Sequence, residues 1–206
     1  MFPDSLDSNM EMAENLTFES LSQSSAQAGG CPPVVPSSDI RWFVMRVTYS
    51  RELKARILLQ EAGVECFIPM VCEREPDEKR YVPAVHNLIF VHSSRDFLDN
   101  YKRKVEEGCP LRYMMDRSTG LPMVVRDREM EDFIRVTAEM EDSVLYLDNP
   151  LATVEKGTPV EIVNGPLNGV RGKLLRIRRD RKVVLQLAGL VAVAVDGIPL
   201  EWCRVV

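Results

Sequence analysis

The side chains best suited to chemistry in this sequence are few and scattered. His86 and His92 sit six positions apart in a run that reads as one strand. That spacing puts them on one face but ~20 Å apart, too far for a single metal ion. Both are expected to be structural or surface residues. Cys31, Cys66, Cys72, Cys109 and Cys203 form an odd set with no C-x-x-C pair, which argues against a disulfide framework and against a structural zinc site. They read as reduced, mostly buried thiols. No pair of carboxylates with a histidine, no Ser/Cys–His arrangement and no phosphate-cradling glycine loop is found. The sequence therefore predicts no catalytic residue, no cofactor and no bound metal, and a protein that is not an enzyme.

The informative chemistry is backbone and charge. From Val160 to Ile177 an alternating apolar run enters Gly165-Pro166-Leu167, passes Gly169 and Gly172, and leaves as a second apolar run. This reads as strand, compact turn, strand. Five cations follow, Arg176, Arg178, Arg179, Arg181 and Lys182, around Asp180. Such a run suits phosphate or an acidic protein face, but it contains no aromatic for base stacking, and a solvated hairpin tip explains it equally well. Arg46, Arg51, Lys54 and Arg56 form a second basic group near a helix start. Arg51 and Lys54, three apart, share a helix side, and charges on a helix exterior are usually just solvated.

Both groups must be held by the elements around them. Order is expected to begin with the strand Arg41–Thr48. Ser50 then caps a helix burying Leu53, Ile57 and Leu58, with Gly63 past its end. Val64–Val71 reads as a strand that Pro69 places near an edge, Glu73–Arg80 as a charged hairpin tip, and Tyr81–His92 as the returning strand. Ser94 caps a second helix with Phe97, Leu98, Tyr101 and Val105 inward and Gly108 at its end. Short strands at Leu111–Met114 and Pro122–Val125 flank the turn Arg117–Gly120. A third helix after Asp127 buries Met130, Phe133, Ile134 and Ala138. Trp42 and Trp202 read as core packing. The order β-α-β-β-α-β plus a helix predicts an α+β, ferredoxin-like sheet with helices on one face.

The chain of 206 residues, 45% hydrophobic, can bury one good core and a smaller one. Residues 1–39, rich in Ser, Pro and acid, read as a disordered acidic tail. The ferredoxin-like domain spans 40–142, a linker 143–155, and a small β-barrel 156–206. Residues 1–40 carry six acidic and no basic side chains, so the net −5 conceals a basic C-terminal stretch, residues 155–206, with nine basic against five acidic groups. No run is long enough to cross a bilayer and no secretory signal pattern is present, so a cytoplasmic protein with no membrane contact is expected.

The Gly165-Pro166-Leu167, Gly169, Gly172 stretch resembles the KOW motif, carried by small SH3-like barrels that bind RNA or proteins. A ferredoxin-like domain opening on Arg41-Trp42-Phe43-Val44, a short linker and a KOW barrel together resemble the NusG family of transcription elongation factors, whose first domain is called NGN. The segments Glu65–Met70, Val82–His92, Arg112–Gly120 and Met130–Ile134 resemble its UpxY-like branch of specialised antiterminators. The resemblance implies a factor that binds the clamp helices of the largest RNA polymerase subunit, holds the clamp closed, suppresses pausing and termination, and serves surface (capsular) polysaccharide operons. It implies polymerase contacts at Tyr49, Phe67, Pro69, Tyr81, Val85 and Leu88, Tyr81 and Val85 being favoured. It also implies contact with non-template DNA at Arg46, Arg51, Lys54 and Arg56, where Arg51 and Lys54 on one helix side make a reasonable phosphate grip, and nascent RNA as a further or alternative partner. A ribosomal protein is the family's KOW partner, but here Leu167 and Val170 stand where aromatics are usual and Leu187-Ala188-Gly189-Leu190 lacks the arginine. The competing readings are a KOW-based RNA or ribosome adaptor and, for shape, a helical hairpin over Leu185–Val195. The glycines and Pro166 disfavour the hairpin, at ~1 kcal/mol per interior glycine and ~3 for proline.

Overall fold

The computed structural model describes residues 39–74, 79–105, 111–140, 143–147, 157–177 and 180–206. The first half is built on β1 (Arg41–Val47), the central strand of an antiparallel sheet. Strand β5 (Leu88–Ser93) lies on one side of it and β6 (Leu111–Tyr113) on the other. Strand β2 (Glu65–Phe67) flanks β5, and the short β7 (Val124–Val125) also pairs with β1. The sheet order is β2-β5-β1-β6.

Both faces of β1 are apolar because both are covered. Phe43, Met45 and Val47, with Ile89 and Val91, pack under α1 (Glu52–Glu61) and α2 (Arg95–Val105) through Ala55, Leu59 and Leu98. Trp42, Val44, Leu88 and Phe90 face the other way, into Met130, Phe133 and Val136 of α3 (Asp127–Glu139). Helices on one face only were expected; α3 occupies the second face instead. A period-2 strand with large apolar residues at every position requires this.

Local differences from the expected elements have physical causes. Ser50 does not cap α1: it has φ 50, the cap position is Arg51, and no side chain caps the helix. The helix is rotated relative to its expected face, so that Glu52, Ala55 and Leu59 are buried while Leu53 and Ile57 are exposed. In α3, Val136 takes the inward place expected of Ala138, which is exposed. The strand expected over Val64–Val71 is broken at Ile68-Pro69. Met70–Arg74 (β3) pairs instead with Lys79–Pro83 (β4) as a separate hairpin, and Asn87 at φ 62 ends the excursion before β5. His86 therefore lies in a loop and not on the strand with His92. Ser94 does cap α2, accepting from Phe97 N at 3.2 Å, and Gly63 closes α1 at φ +71. The tip 75–78 and Gly108 lie outside the described residues.

The second half is an antiparallel six-stranded sheet, β13-β9-β10-β11-β12-β8. It comprises β9 (Thr158–Ile162), β10 (Arg171–Ile177), β11 (Asp180–Leu187), β12 (Val191–Val195) and β13 (Cys203–Val205). Strand β8 (Val144–Tyr146) comes from the segment expected to be linker and pairs with β12. Leu185–Val195, raised as a helical hairpin, is two strands joined by a turn at Ala188 and Gly189, both at positive φ.

The core of this half joins that of α3. Val160, Ile162, Leu167, Val170, Val183, Leu185, Val193 and Val195 belong to one apolar cluster with Phe133 and Val136. Leu167 and Val170, at 2% and 0% exposure, are packing residues of this cluster.

Candidate functional site

Two regions gather polar chemistry onto prepared geometry. The first is the end of the α/β sheet where β1 passes into α1. Tyr49 and Ser50 both adopt left-handed backbone, φ 61 and φ 50, and Asn87, facing them from the start of β5, has φ 62. For Tyr49 and Ser50 this costs on the order of 1–2 kcal/mol each, and for Asn87, which tolerates left-handed backbone, less. The cost is borne by a hydrogen-bond clamp. The Asn87 N–H donates to Oε1 of Glu52, a carboxyl side chain only 1% exposed, and Ser50 N donates to Asn87 Oδ1 at 3.1 Å. Val47 N donates to Asn87 O at 3.0 Å, so the turn is stitched to β5 on both sides. The Thr48 hydroxyl inside it is buried and finds no partner among the described residues.

This clamp presents Tyr49, 81% exposed, with the Arg51 guanidinium 5.6 Å above its ring. Arg46 is exposed three residues earlier on β1, and β6 sets Arg112 directly opposite it. Side chains of such a cross-strand pair share a face with Cβ atoms ~5 Å apart, and like charges there are unfavourable. Lys54 is exposed on α1 and Arg56 is half-buried. Arg112 was not singled out by sequence; only the β1–β6 register brings it to Arg46.

The other expected contacts divide. Leu88 (3% exposed) and Pro69 are buried, and Phe67 is half-buried, its ring edge-on to Phe133 at 6.2 Å and tilted to Phe90 at 6.5 Å. Val85 is half-buried against the same cluster, and Tyr81 on β4 is 49% exposed. As folded, Tyr81 is the exposed member of that set and Val85 is partly accessible. His92 stacks on Trp42 at 4.7 Å and lies 2.9 Å from Glu65 Oε2, a structural role.

The second region is the Gly165–Gly169 turn, where α3 meets the β-sheet. Arg135 donates through Nε to Pro166 O at 3.1 Å and through Nη2 to Asn168 O at 3.0 Å, with a further contact from Nη2 to Pro166 O. Arg128 donates to Gly169 O at 3.3 Å, and Asp132 accepts from Arg171 N at 3.3 Å. Positions 128, 132 and 135 fall on one side of α3, so a polar stripe reads the turn's carbonyls. Burial pushes the Asp132 carboxyl up, against the pull of its Arg171 hydrogen bond and the arginines around it. Gly165, at φ +75, fits because the Trp202 ring leaves no room for a side chain: a Cβ there would sit 2.5 Å from Cζ3.

The basic run after β10 is less available than its composition suggests. Lys182 Nζ lies 2.6 Å from Asp196 Oδ2, with the lysine side chain 10% exposed. Arg176 and Arg181 are exposed and directly opposed across the hairpin. Arg178 and Arg179 lie outside the described residues.

The molecule is thus an α/β module with a clamped, cation-flanked aromatic at one sheet end, joined through a polar stripe on its third helix to an antiparallel β unit. Residues 40–134 match the protein-family model of NusG, described as transcription termination factor nusG. The matched region holds the whole first sheet and ends inside α3, one residue before Arg135. A search of the curated proteins found no match.

Proposed function

We propose that this chain is a NusG-type transcription factor that binds RNA polymerase through its α/β module and suppresses pausing and termination without catalysing a reaction. The observation that carries this is the match of residues 40–134 to the NusG family. The strand order β2-β5-β1-β6 supports reading the module as a ferredoxin-like NGN domain, and the antiparallel unit with its Gly165-Pro166 turn supports a KOW barrel. The segments Glu65–Met70 and Val82–His92 favour the UpxY-like branch, and with it action on capsular polysaccharide operons in the cytoplasm.

In this reading the clamp helices of the largest subunit meet Tyr81 and Val85, while Arg46, Arg51, Lys54 and Arg56 hold the non-template DNA strand. Binding alone suffices for the effect. A ligand preferring the closed clamp shifts the equilibrium by its differential affinity, and moving it from 1:99 to 99:1 needs about a 10⁴-fold preference. The test is transcription in vitro past a strong pause or terminator in the operon leader. Increased read-through with the folded protein supports the proposal; unchanged read-through refutes it.

A further inference from the structure

We infer that the cleft between the start of α3 and strands β10 and β11 binds a nucleoside phosphate, with Arg126, Arg128, Arg171 and Lys173 holding its phosphate groups and Gln186 reading its base. The inference goes beyond the polymerase and DNA contacts of the proposed function and shares no residue with them.

The cleft opens where two strands stop pairing. The β10–β11 ladder ends at Lys173 opposite Val184. Beyond it, Arg171 and Gly172 on one strand and Leu185 and Gln186 on the other line a cavity of about 380 Å³, which α3 walls with Arg126, Arg128, Glu129 and Asp132. That volume falls within the ~300–1,000 Å³ of small-molecule sites. Four cations against the two carboxylates Glu129 and Asp132 leave the lining at net +2, which favours an anion.

The ion pairs of these cations are loose. Arg126 lies 3.6 Å from Glu129, and Arg171 lies 3.9 Å from Glu161, a carboxylate that Arg204 already holds at 3.0 Å. Charge-assisted bonds run ~2.7–2.9 Å, and the arginine fork matches phosphate oxygens in that range. Arg128 gives Gly169 O a bond from Nη2, so its other N–H groups remain for a ligand. The floor has different chemistry. Pro159, Val184 and Leu185 supply an apolar surface for a flat ring. Gln186, half-buried at the cleft, makes no side-chain hydrogen bond among the described residues. Its amide offers donor and acceptor side by side, the pattern that a base edge pairs with. A ligand of phosphate alone would leave the floor and the amide unused. One wall is helix and the other is sheet, so a bound ligand ties the two together and stabilises the folded chain.

The test is isothermal titration calorimetry of the full chain, without divalent metal, against the four ribonucleoside triphosphates, inorganic tripolyphosphate, adenosine and a short RNA. Wild type is expected to bind at least one triphosphate at a single site and to melt at a higher temperature in its presence. Tripolyphosphate should bind about tenfold more weakly, and adenosine not measurably. Arg171→Gln and Lys173→Gln should each weaken the triphosphate and tripolyphosphate about tenfold. Gln186→Leu should weaken the triphosphate and leave tripolyphosphate unchanged. Arg41→Gln, a charge loss on β1 outside the cleft lining, should change neither. Melting of each variant without ligand shows that it folds. No binding of any triphosphate, equal affinity for triphosphate and tripolyphosphate, or an equal loss in Arg41→Gln overturns the inference. So does binding of the short RNA where no triphosphate binds. Each of these results leaves the proposed function, which rests on polymerase binding, standing.

Discussion

Gly165→Ala tests how the Gly165–Gly169 turn is built. The backbone there has φ +75, and an added Cβ would lie 2.5 Å from Cζ3 and 3.1 Å from Cε3 of Trp202. The left-handed conformation costs an alanine about 1 kcal/mol. The half-buried ring must also shift against the cluster it packs on, which costs about 1–3 kcal/mol more. Gly169 is the internal control: its φ is +88 but nothing lies within 4 Å of a Cβ built there. Gly169→Ala should therefore carry the backbone cost alone. Urea denaturation of the full chain, followed by tryptophan fluorescence, should place Gly165→Ala about 2–4 kcal/mol below wild type and clearly below Gly169→Ala. Equal losses for the two glycines would refute the claim that the Trp202 ring, and not φ alone, demands Gly165.

Other expectations follow from single contacts. Arg135→Ala removes the guanidinium bonds to Pro166 O and Asn168 O and should cost about 1–3 kcal/mol, with faster amide exchange confined first to the 165–169 turn. Leu53→Gln and Ile57→Gln, at positions 41% and 54% exposed, should each change stability by no more than about 0.5 kcal/mol, whereas burial of either would cost several times that. Burial pushes the Tyr146 hydroxyl, which donates to Met70 O at 3.1 Å, up to about 12. The unfolded chain ionises this group first, near 10, so the stability it contributes is present below that pH and is lost as pH rises toward 12. Tyr146→Phe should flatten that alkaline loss in a pH series of melts. The Glu161 carboxyl is held below its usual range by the Arg204 hydrogen bond and by Arg171. Its contribution is therefore lost as pH falls through the folded value, and Glu161→Gln should remove that acid dependence.

How much of this was legible in sequence depends on where the information lay. Strands β1 and β5, the Ser94 cap and the Gly-Pro turn carry their signals locally, in β-branched runs and backbone-specific residues, and they lie where the residues indicate. The α1 face was misread because Leu53 and Ile57 share helical spacing with Leu58, and nothing local reveals that Ala55, Leu59 and the acidic Glu52 turn inward. Glu52 is buried because Asn87, thirty-five residues away, needs its oxygen. The linker strand β8 was invisible for the same reason: Val144–Tyr146 is too short to show a period and is ordered by β12. In the candidate sites the arginines of the first helix were legible as charge, while the Arg46–Arg112 pair and the grip of Arg135 on the turn depend on register and docking across the chain.

The most direct test of the central claim is a binding measurement between the full chain and the RNA polymerase of its own cell, with Tyr81→Asp and Val85→Asp as paired variants. Saturable binding by the wild type, weakened at least tenfold by either substitution in a protein that melts normally, is the expected result. A folded wild-type chain with no measurable affinity for the polymerase would contradict the account.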